Sequence, residues 1–286
     1  MEASSSINTV ADCVWYLSCP ISVRMFSSVC FLLTLALAYT NAGKEQIVAG
    51  KEQIVAGKPA KPCQFPSIVH LLFDTHDGTY ACGGTLLSNR HVLTASHCFA
   101  KGTHTIRVRI GDIDVENSNV LTINANSWAM HPSFTDTPMR NDVAVLHLES
   151  PVTFSNCIKA SPLPPANTVY DNRKCIAAGW GAVGAGKHGP STLHHVAMSV
   201  ISHEKCKQKM SYANLQKQHL CAGDFVDGGP STCVGDSGGP LYCPDRGNMV
   251  VAGITSFGYG CDVDAAIFTD VSYFRKWILE AMEMLE

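Results

Sequence analysis

The sequence of 286 residues lacks several features that mark common functional classes. Its formal net charge is −3 at pH 7 and its charged residues are scattered, so no basic surface typical of nucleic-acid binding is expected. It contains neither an H-E-x-x-H motif nor paired C-x-x-C motifs, which argues against a zinc hydrolase. It also has no low-complexity segment, and its one repeat, residues 44–50 copied at 51–57, is too short for a solenoid.

Cysteine, by contrast, is plentiful. Three of the thirteen cysteines precede residue 42, which leaves ten, an even number that suits disulfides in an oxidising compartment. Arg24, followed by an apolar stretch at 29–39 and small residues at 40–42, is typical of a secretory signal peptide. We therefore predict a leader at residues 1–42 and a secreted, extracellular protein. Met25 is an alternative start, and an N-terminal membrane anchor is the competing hypothesis.

Residues 235–240 (GDSGGP) are the most informative segment. A serine between glycines fits a reactive hydroxyl flanked by backbone N–H donors, and such a serine needs a histidine base and an acid that orients the base. The same pattern occurs in the nucleophile turn of α/β-hydrolases and in turns without chemistry. An α/β-hydrolase esterase has its histidine after the serine, but none follows Ser237, so the base must lie upstream.

Two upstream residues are the candidate partners of Ser237. His97 lies near the end of the short apolar and β-branched run 92–98, which a cysteine closes. Asp142 leads directly into the apolar segment 143–146, where a buried carboxylate without a partner would be unfavourable. We therefore expect these two side chains to act with the serine.

Four segments of the chain resemble the chymotrypsin/trypsin serine proteases: 94–98 (TASHC), 141–146 (NDVAVL), 178–181 (AGWG) and 233–240 (CVGDSGGP). The similarity spans about residues 54–286. It implies a serine endopeptidase in which Ser237 attacks the substrate carbonyl, His97 is general base and then acid, and Asp142 orients the imidazole. The N–H groups of Gly235 and Ser237 would form the oxyanion hole.

The resemblance also implies the partners and the disulfides. We expect protein or peptide substrates, protein inhibitors, an activating protease, no cofactor, no membrane contact after signal removal, and a monomer. A non-catalytic homologue acting as a binding protein is the alternative. The implied disulfides, with the two remaining cysteines paired as a fifth, are Cys82–Cys98, Cys175–Cys243, Cys206–Cys221, Cys233–Cys261 and Cys63–Cys157.

Short β-rich runs recur between turn signals and predict an all-β protein. With the resemblance, they predict two packed antiparallel six-stranded β-barrels at 54–162 and 163–286, joined by a proline-marked linker at 161–167. Only the C-terminus has a helical pattern, with Ser272 as N-cap and an apolar stripe that we expect to dock on the protein. The strand candidates are 67–73, 106–110, 144–148, 193–200 and 250–254, and the stripe is Phe274, Trp277, Ile278, Ala281 and Met282.

The repeat bears on activation. In the family, cleavage frees an Ile-Val-x-Gly amino terminus whose ammonium lies beside the aspartate before the serine, here Asp236. Ile47 and Ile54 are both candidates, and we prefer Ile54, from which the thirteenth residue is Pro66, as in the family. This predicts a zymogen with a short propeptide at 43–53. Gln53 stands where the family has arginine or lysine, which leaves the activating protease open.

The specificity pocket is expected to be apolar. Ser231 lies six residues before the catalytic serine, where the trypsin branch carries an aspartate that pairs with lysine or arginine. Ser256, Phe257 and Gly258 resemble the segment that pairs with substrate backbone, and Ala266 replaces a glycine of the pocket wall. We predict a chymotrypsin-like preference for leucine or methionine, with phenylalanine and tyrosine also accepted.

Two groups of acidic residues leave alternatives open. Asp262 or Asp264 could also reach the pocket. The second group, Asp112, Asp114 and Glu116, has the spacing of one face of a strand and lies near the position of the calcium loop of the trypsins. The stretch that follows is shorter than the corresponding stretch of the trypsins. We interpret these three as a solvated acidic face and predict no metal.

Overall fold

The computed structural model describes residues 57–99, 102–182, 189–226, 229–261 and 263–286. These ranges are mostly β-structure. The strands are β1 (Lys58–Pro59), β2 (Ile68–Thr75), β3 (Gly78–Leu86), β4 (His91–Thr94), β5 (Thr105–Ile110), β6 (Leu121–Met130), β7 (Thr135–Asp136), β8 (Met139–Arg140), β9 (Ala144–Leu148), β10 (Lys174–Gly179), β11 (His194–Ile201), β12 (His219–Ala222), β13 (Pro240–Asp245), β14 (Asn248–Phe257) and β15 (Ala266–Asp270). The α-helices are α1 (His203–Lys209) and α2 (Val271–Met284).

The first barrel is a closed antiparallel sheet with the strand order β2-β3-β4-β9-β6-β5. Its sequence alternates as a half-buried strand should; in β5, for example, Ile106, Val108 and Ile110 are buried between partly exposed neighbours. Strand β4 pairs with β9 so that Thr94 lies opposite Ala144. This register brings the end of β4 beside the start of β9.

The second barrel contains β10 to β15. Strand β11 pairs with both β10 and β12, and the ladder continues through β15, β14 and β13 back to β10, so the sheet closes on itself. Antiparallel closure leaves few unpaired strand edges. A register shift between Thr255 and Phe257 forms a bulge in β14 where it pairs with β15. The two closed barrels confirm the predicted fold class.

Strand β1 and the long connection between the barrels refine the expected boundaries. The described chain has no helix or strand between β9 and β10, a stretch that includes the predicted linker at 161–167. Strand β1 lies in the range assigned to the first barrel, yet it pairs with β11 of the second, with Lys58 opposite His195. The amino-terminal segment therefore crosses onto the second barrel before the first barrel begins.

The C-terminal helix α2 is present as predicted, and it packs against β9 of the first barrel and β14 of the second, in a core cluster with residues of both barrels. Phe274, Ile278 and Ala281 are buried there. Its N-cap is Asp270 and not the expected Ser272, because the Asp270 carboxylate accepts hydrogen bonds from the N–H groups of residues 272 and 273. Among the described residues, no helix has both the length and the apolar character needed to cross a membrane.

Helix α1 was not expected from the sequence. Its seven residues bury only Cys206, so they present no apolar stripe from which a helical period can be recognised.

The strand bounds differ from the predicted ones by a few residues at most ends. The five disulfides are the pairs named above, Cys63–Cys157, Cys82–Cys98, Cys175–Cys243, Cys206–Cys221 and Cys233–Cys261.

Candidate active site

His97 and Asp142 meet at the adjoining ends of β4 and β9. His97 lies in a single 3₁₀ turn, Ser96–Cys98, directly after β4, and Asp142 lies just before β9. The His97 Nδ1 atom is 2.7 Å from Asp142 Oδ2, and the His97 backbone N–H donates to Oδ1 at 2.9 Å. Since a carboxylate only accepts, this contact places the imidazole proton on Nδ1 and leaves Nε2 as the acceptor.

Residues of the second barrel also hold Asp142, whose side chain is 1% exposed. Ser256, the bulged residue of β14, donates its hydroxyl to Asp142 Oδ2 at 2.5 Å. Thr269 of β15 donates to the Asp142 carbonyl at 2.8 Å. The buried carboxylate is therefore well supplied with hydrogen-bond donors from both barrels, as a buried charge requires.

The environment of His97 raises its pKa above the ordinary value of 6.5. Burial acts in the opposite direction and lowers the pKa, but the hydrogen bond to Asp142 and its negative charge outweigh burial. The charge of Asp136, in the exposed β7–β8 hairpin, adds to the increase. The imidazolium form is thus favoured by charges on its own barrel.

The segment with Ser237 packs against the same part of the first barrel. The Gly83 N–H of β3 donates to the Ser237 carbonyl at 2.7 Å. Gly238 has a φ of +74°, and a Cβ atom there would lie 2.2 Å from Thr94 Oγ1. Only glycine satisfies both conditions. Since Thr94 ends the strand that leads to His97, the close approach fixes the serine loop beside the histidine turn.

The backbone at Gly235 and Ser237 is where the sequence predicts an oxyanion hole. Gly235 has a φ of +98°, and a Cβ atom there would lie 3.0 Å from the Gly181 Cα atom. Within the described ranges, the N–H groups of Gly235 and Ser237 donate to no backbone acceptor, and the Ser237 hydroxyl forms no hydrogen bond. The hydroxyl and both N–H groups are therefore unengaged by the described protein atoms.

Asp236 is the second buried carboxylate of the site. It is 1% exposed and accepts hydrogen bonds from the N–H groups of Gly181, at 2.9 Å, and Cys233, at 3.0 Å. Burial raises the pKa of Asp236 to about 6, against the opposing effect of these two donors. In the part of the chain that the structure describes, no cationic side chain pairs with it. Ile54, proposed as its partner, and Ile47 lie outside the described residues.

The expected pocket residues lie at the edge of the second barrel. Ser231 is 2% exposed, and its hydroxyl donates to the carbonyls of Thr232 at 3.3 Å and Asp264 at 3.5 Å. Ala266 is also buried and lies opposite Ala222 of β12. The Ser231 contact therefore involves the backbone of Asp264 and not its carboxylate.

The other residues that the sequence predicts for the pocket contact different neighbours from those of Ser231 and Ala266. The Asp264 carboxylate accepts a hydrogen bond from the Tyr212 hydroxyl at 2.5 Å, and Asp262 lies outside the described residues. Of the described atoms, a Cβ atom on Gly258 would meet only the Gly260 carbonyl, at 3.9 Å, so the described chain is open there. Phe257 packs edge-on against His219, with ring centroids 5.4 Å apart. Ser256, also expected in the pocket, donates a hydrogen bond from its hydroxyl to the Asp142 carboxylate.

The acidic segment after β5 forms turns and not the strand face expected from the sequence. The Asp112 carboxylate accepts from the Asp114 N–H, and the Asp114 carboxylate accepts from the Glu116 N–H, each at 2.9 Å. The first of these bonds lowers the pKa of Asp112. Across the described ranges, no group of three or more histidine, cysteine or acidic side chains is arranged to hold a metal ion.

Sequence reasoning did not find Thr269 or the Asp142 contact of Ser256. Both lie more than a hundred residues from Asp142 in the chain, and neither belongs to a local pattern around it. Their positions follow from the closure of the second barrel against the first. The bulge at Ser256 is likewise a property of the β14–β15 pairing.

Comparison with known proteins places the chain in a family. A family model described as Trypsin matches residues 54–278, so the chain belongs to the trypsin family of serine proteases. It is 35% identical to alkaline trypsin C of Manduca sexta over 266 residues, which cover 90% of this chain and 98% of that protein. It is 32% identical to a trypsin of Sus scrofa over 72% of this chain and 87% of that protein. A proclotting enzyme of Tachypleus tridentatus is 35% identical over 70% of this chain and 58% of that protein.

Proposed function

We propose that this protein is a secreted serine endopeptidase that forms an acyl-enzyme and prefers apolar residues before the scissile bond. The contact of the His97 imidazole with the buried Asp142 carboxylate, 2.7 Å long and adjacent to the Ser237 loop, is the observation that carries the proposal. Protein or peptide substrates, protein inhibitors and an activating protease are the partners that this activity requires.

The proposed reaction follows from the proton positions. Ser237 Oγ attacks the substrate carbonyl carbon while its proton passes to His97 Nε2, the ring nitrogen that Asp142 leaves free. The N–H groups of Gly235 and Ser237 hold the oxyanion, and loss of one such donor typically raises the barrier by about 3–4 kcal/mol. His97 then protonates the leaving amine, and water hydrolyses the ester on Ser237 by the reverse proton transfers.

The proposed specificity depends on uncharged groups at the pocket base. A lysine or arginine side chain would be desolvated beside Ser231 without a counter-charge, since Asp264 meets Ser231 only through its carbonyl. A leucine or methionine would gain roughly 1.5–3 kcal/mol from burial. The names of the trypsin relatives describe those proteins, and the neutral residue at position 231 supports a different preference for this chain.

Asp236 supports activation by a new amino terminus. A buried carboxylate with only two N–H donors is unfavourable as an anion, and an adjacent ammonium would lower its pKa again. We propose that cleavage before Ile54 supplies this ammonium and so shapes the backbone at Gly235. N-terminal sequencing of the active form should then begin at Ile54, and chemical blocking of that terminus should abolish activity. Unchanged activity after blocking would refute this route.

Labelling with a fluorophosphonate tests catalysis against the non-catalytic alternative. The activated wild-type protein should react at Ser237, whereas Ser237→Ala and His97→Ala should not. A folded, correctly processed wild type that fails to react would identify a binding protein. A set of peptides varied only at the residue before the scissile bond tests specificity: leucine and methionine should exceed arginine clearly, and a preference for arginine would refute the proposed pocket.

A further inference from the structure

The backbone that carries Asp142 is held from the second barrel by a residue that lies before β12. The Asn141 N–H donates to the Gln218 side-chain carbonyl Oε1. Asn141 itself has a φ of +51°, and its side chain donates to the Ser133 carbonyl at 2.7 Å. The residue directly before the triad carboxylate therefore has a constrained backbone, and Gln218 contacts it from the other barrel.

Gln218 is in turn firmly placed. It is 8% exposed, and its backbone carbonyl accepts a hydrogen bond from the Asp270 N–H at 2.9 Å. The next residue, His219, pairs with Thr269 across β12 and β15, and Thr269 is the residue that donates to the Asp142 carbonyl. Gln218, which accepts from the Asn141 N–H, and Thr269, which donates to the Asp142 carbonyl, thus lie on neighbouring segments of the second barrel.

His219, the residue after Gln218, is a neutral histidine. Its Nδ1 atom accepts the Gln216 N–H at 3.1 Å, so its ring proton lies on Nε2. Burial lowers the pKa of His219 to about 4, and the ring is neutral at the pH where the protease would work. The Met139 backbone, two residues before Asn141, acts in the opposite direction on the pKa of His219.

We propose that Gln218 is a positioning residue that fixes Asp142, and through it His97, by holding the Asn141 N–H from the second barrel. The proposal rests on the proposed function, since its effect is expressed through the triad. Within the described ranges, the Gln218 side chain bonds to the Asn141 backbone and not to the side chains of Asp142, His97 or Ser237. Its role is to connect the two barrels at the one residue whose backbone direction sets the carboxylate.

The consequence is a change in the rate constant more than in substrate binding. A displacement of about 1 Å in a catalytic group can reduce the rate about 10²-fold. Ser231 lies in a different loop, and Ala266 lies at the opposite end of β15 from Thr269, so substrate binding in the pocket should be preserved. A misplaced carboxylate would also support the imidazolium less well, and the acid limb of kcat/KM, which reports protonation of free His97, would move to lower pH.

Three substitutions test the proposal in the activated, full enzyme. Gln218→Met keeps the length of the side chain but removes the acceptor, and it should lower kcat about 10- to 100-fold with KM within about twofold. Gln218→Glu keeps an acceptor oxygen and should retain kcat within about threefold, with an acid limb not below that of the wild type. Gln216→Met is the matched control, because among the described residues that side chain bonds only to Asn214, in its own loop.

The outcomes separate this proposal from the proposed function. An active wild type in which folded Gln218→Met has the kcat and acid limb of Gln216→Met would overturn the positioning role. A rise in KM alone would also overturn it. Should Gln218→Met not fold, Gln218→Asn, which retracts the acceptor by one methylene, decides in the same way. A correctly processed wild type without activity would instead refute the proposed function, and this inference with it.

Discussion

The two sides of the candidate active site are built by different means. On one side, the Asp142 carboxylate and its partner His97 are held by side-chain hydrogen bonds, including one from Ser256 of the other barrel. On the other side, the loop that carries Ser237 is held mainly by backbone hydrogen bonds and by glycines with positive φ values. Asp142 and His97 are thus held mainly by side-chain hydrogen bonds, and Ser237 mainly by the conformation of its backbone.

This difference determines how each side should respond to change. A hydrogen bond to a side chain can be removed while the backbone stays in place. Substitutions around Asp142 should therefore reduce activity in part and not abolish it. The backbone of the serine loop has no such tolerance, because a single Cβ atom at Gly238 would overlap Thr94. Substitutions of the two kinds, ordered by the size of their expected effect, test the comparison.

Removal of the nucleophile should have the largest effect. Ser237→Ala is expected to fold normally and to lower kcat on the order of 10⁶-fold, because only binding and the oxyanion hole remain. His97→Ala should lose a similar amount, and the double variant little more, since the residues act as a unit. Steady-state peptide hydrolysis provides the measurement. Near-normal hydrolysis by either single variant would remove the basis for the triad.

Gly238→Ala should damage both activity and stability. The new Cβ would lie 2.2 Å from Thr94 Oγ1 and would strain a backbone with a φ of +74°, which typically costs about 1–3 kcal/mol. Displacement of the adjacent serine by about 1 Å should lower kcat roughly 10²-fold.

Gly247→Ala is the control for Gly238→Ala, because Gly247 has a φ of +84° but no described atom would lie within 4 Å of the new Cβ. Denaturant unfolding and peptide hydrolysis should therefore show a small loss of stability and unchanged activity for the control. Equal effects of the two substitutions would show that backbone strain alone, without the contact to Thr94, explains the result.

The same difference explains how much could be predicted from the sequence. The serine loop is a local pattern, so the glycines and Ser237 can be recognised without any knowledge of distant residues. The contacts that hold Asp142 come from Gln218, Ser256 and Thr269, which join it only after two barrels have closed. The all-β class and the C-terminal helix follow from periodicity, whereas the pairing of β1 with the second barrel has no local signal.

A smaller effect is expected at the pocket wall. Ala266→Gly removes one buried methyl group and should shift the ratio of kcat/KM values from leucine toward phenylalanine and tyrosine substrates. One methyl group discriminates by about 1–3 kcal/mol at most, so the shift should be about tenfold. Ala252→Gly, in the buried core of the same barrel, should destabilise the protein without changing the ratio. An unchanged ratio in Ala266→Gly would show that this residue does not form the wall.

The smallest effect should come from an exposed charge that acts on the base. Asp136 raises the pKa of His97, so Asp136→Asn should lower that pKa and move the acid limb of kcat/KM to lower pH. Because Asp136 is exposed, the shift should shrink at high ionic strength. Asp77→Asn makes the same change of net charge at the exposed β2–β3 turn, where it does not affect the pKa of His97, and should leave the limb in place. A limb that stays fixed in Asp136→Asn would show that this carboxylate does not act on His97, and equal movement in both variants would show that net charge, and not the nearby carboxylate, changes the pKa of His97.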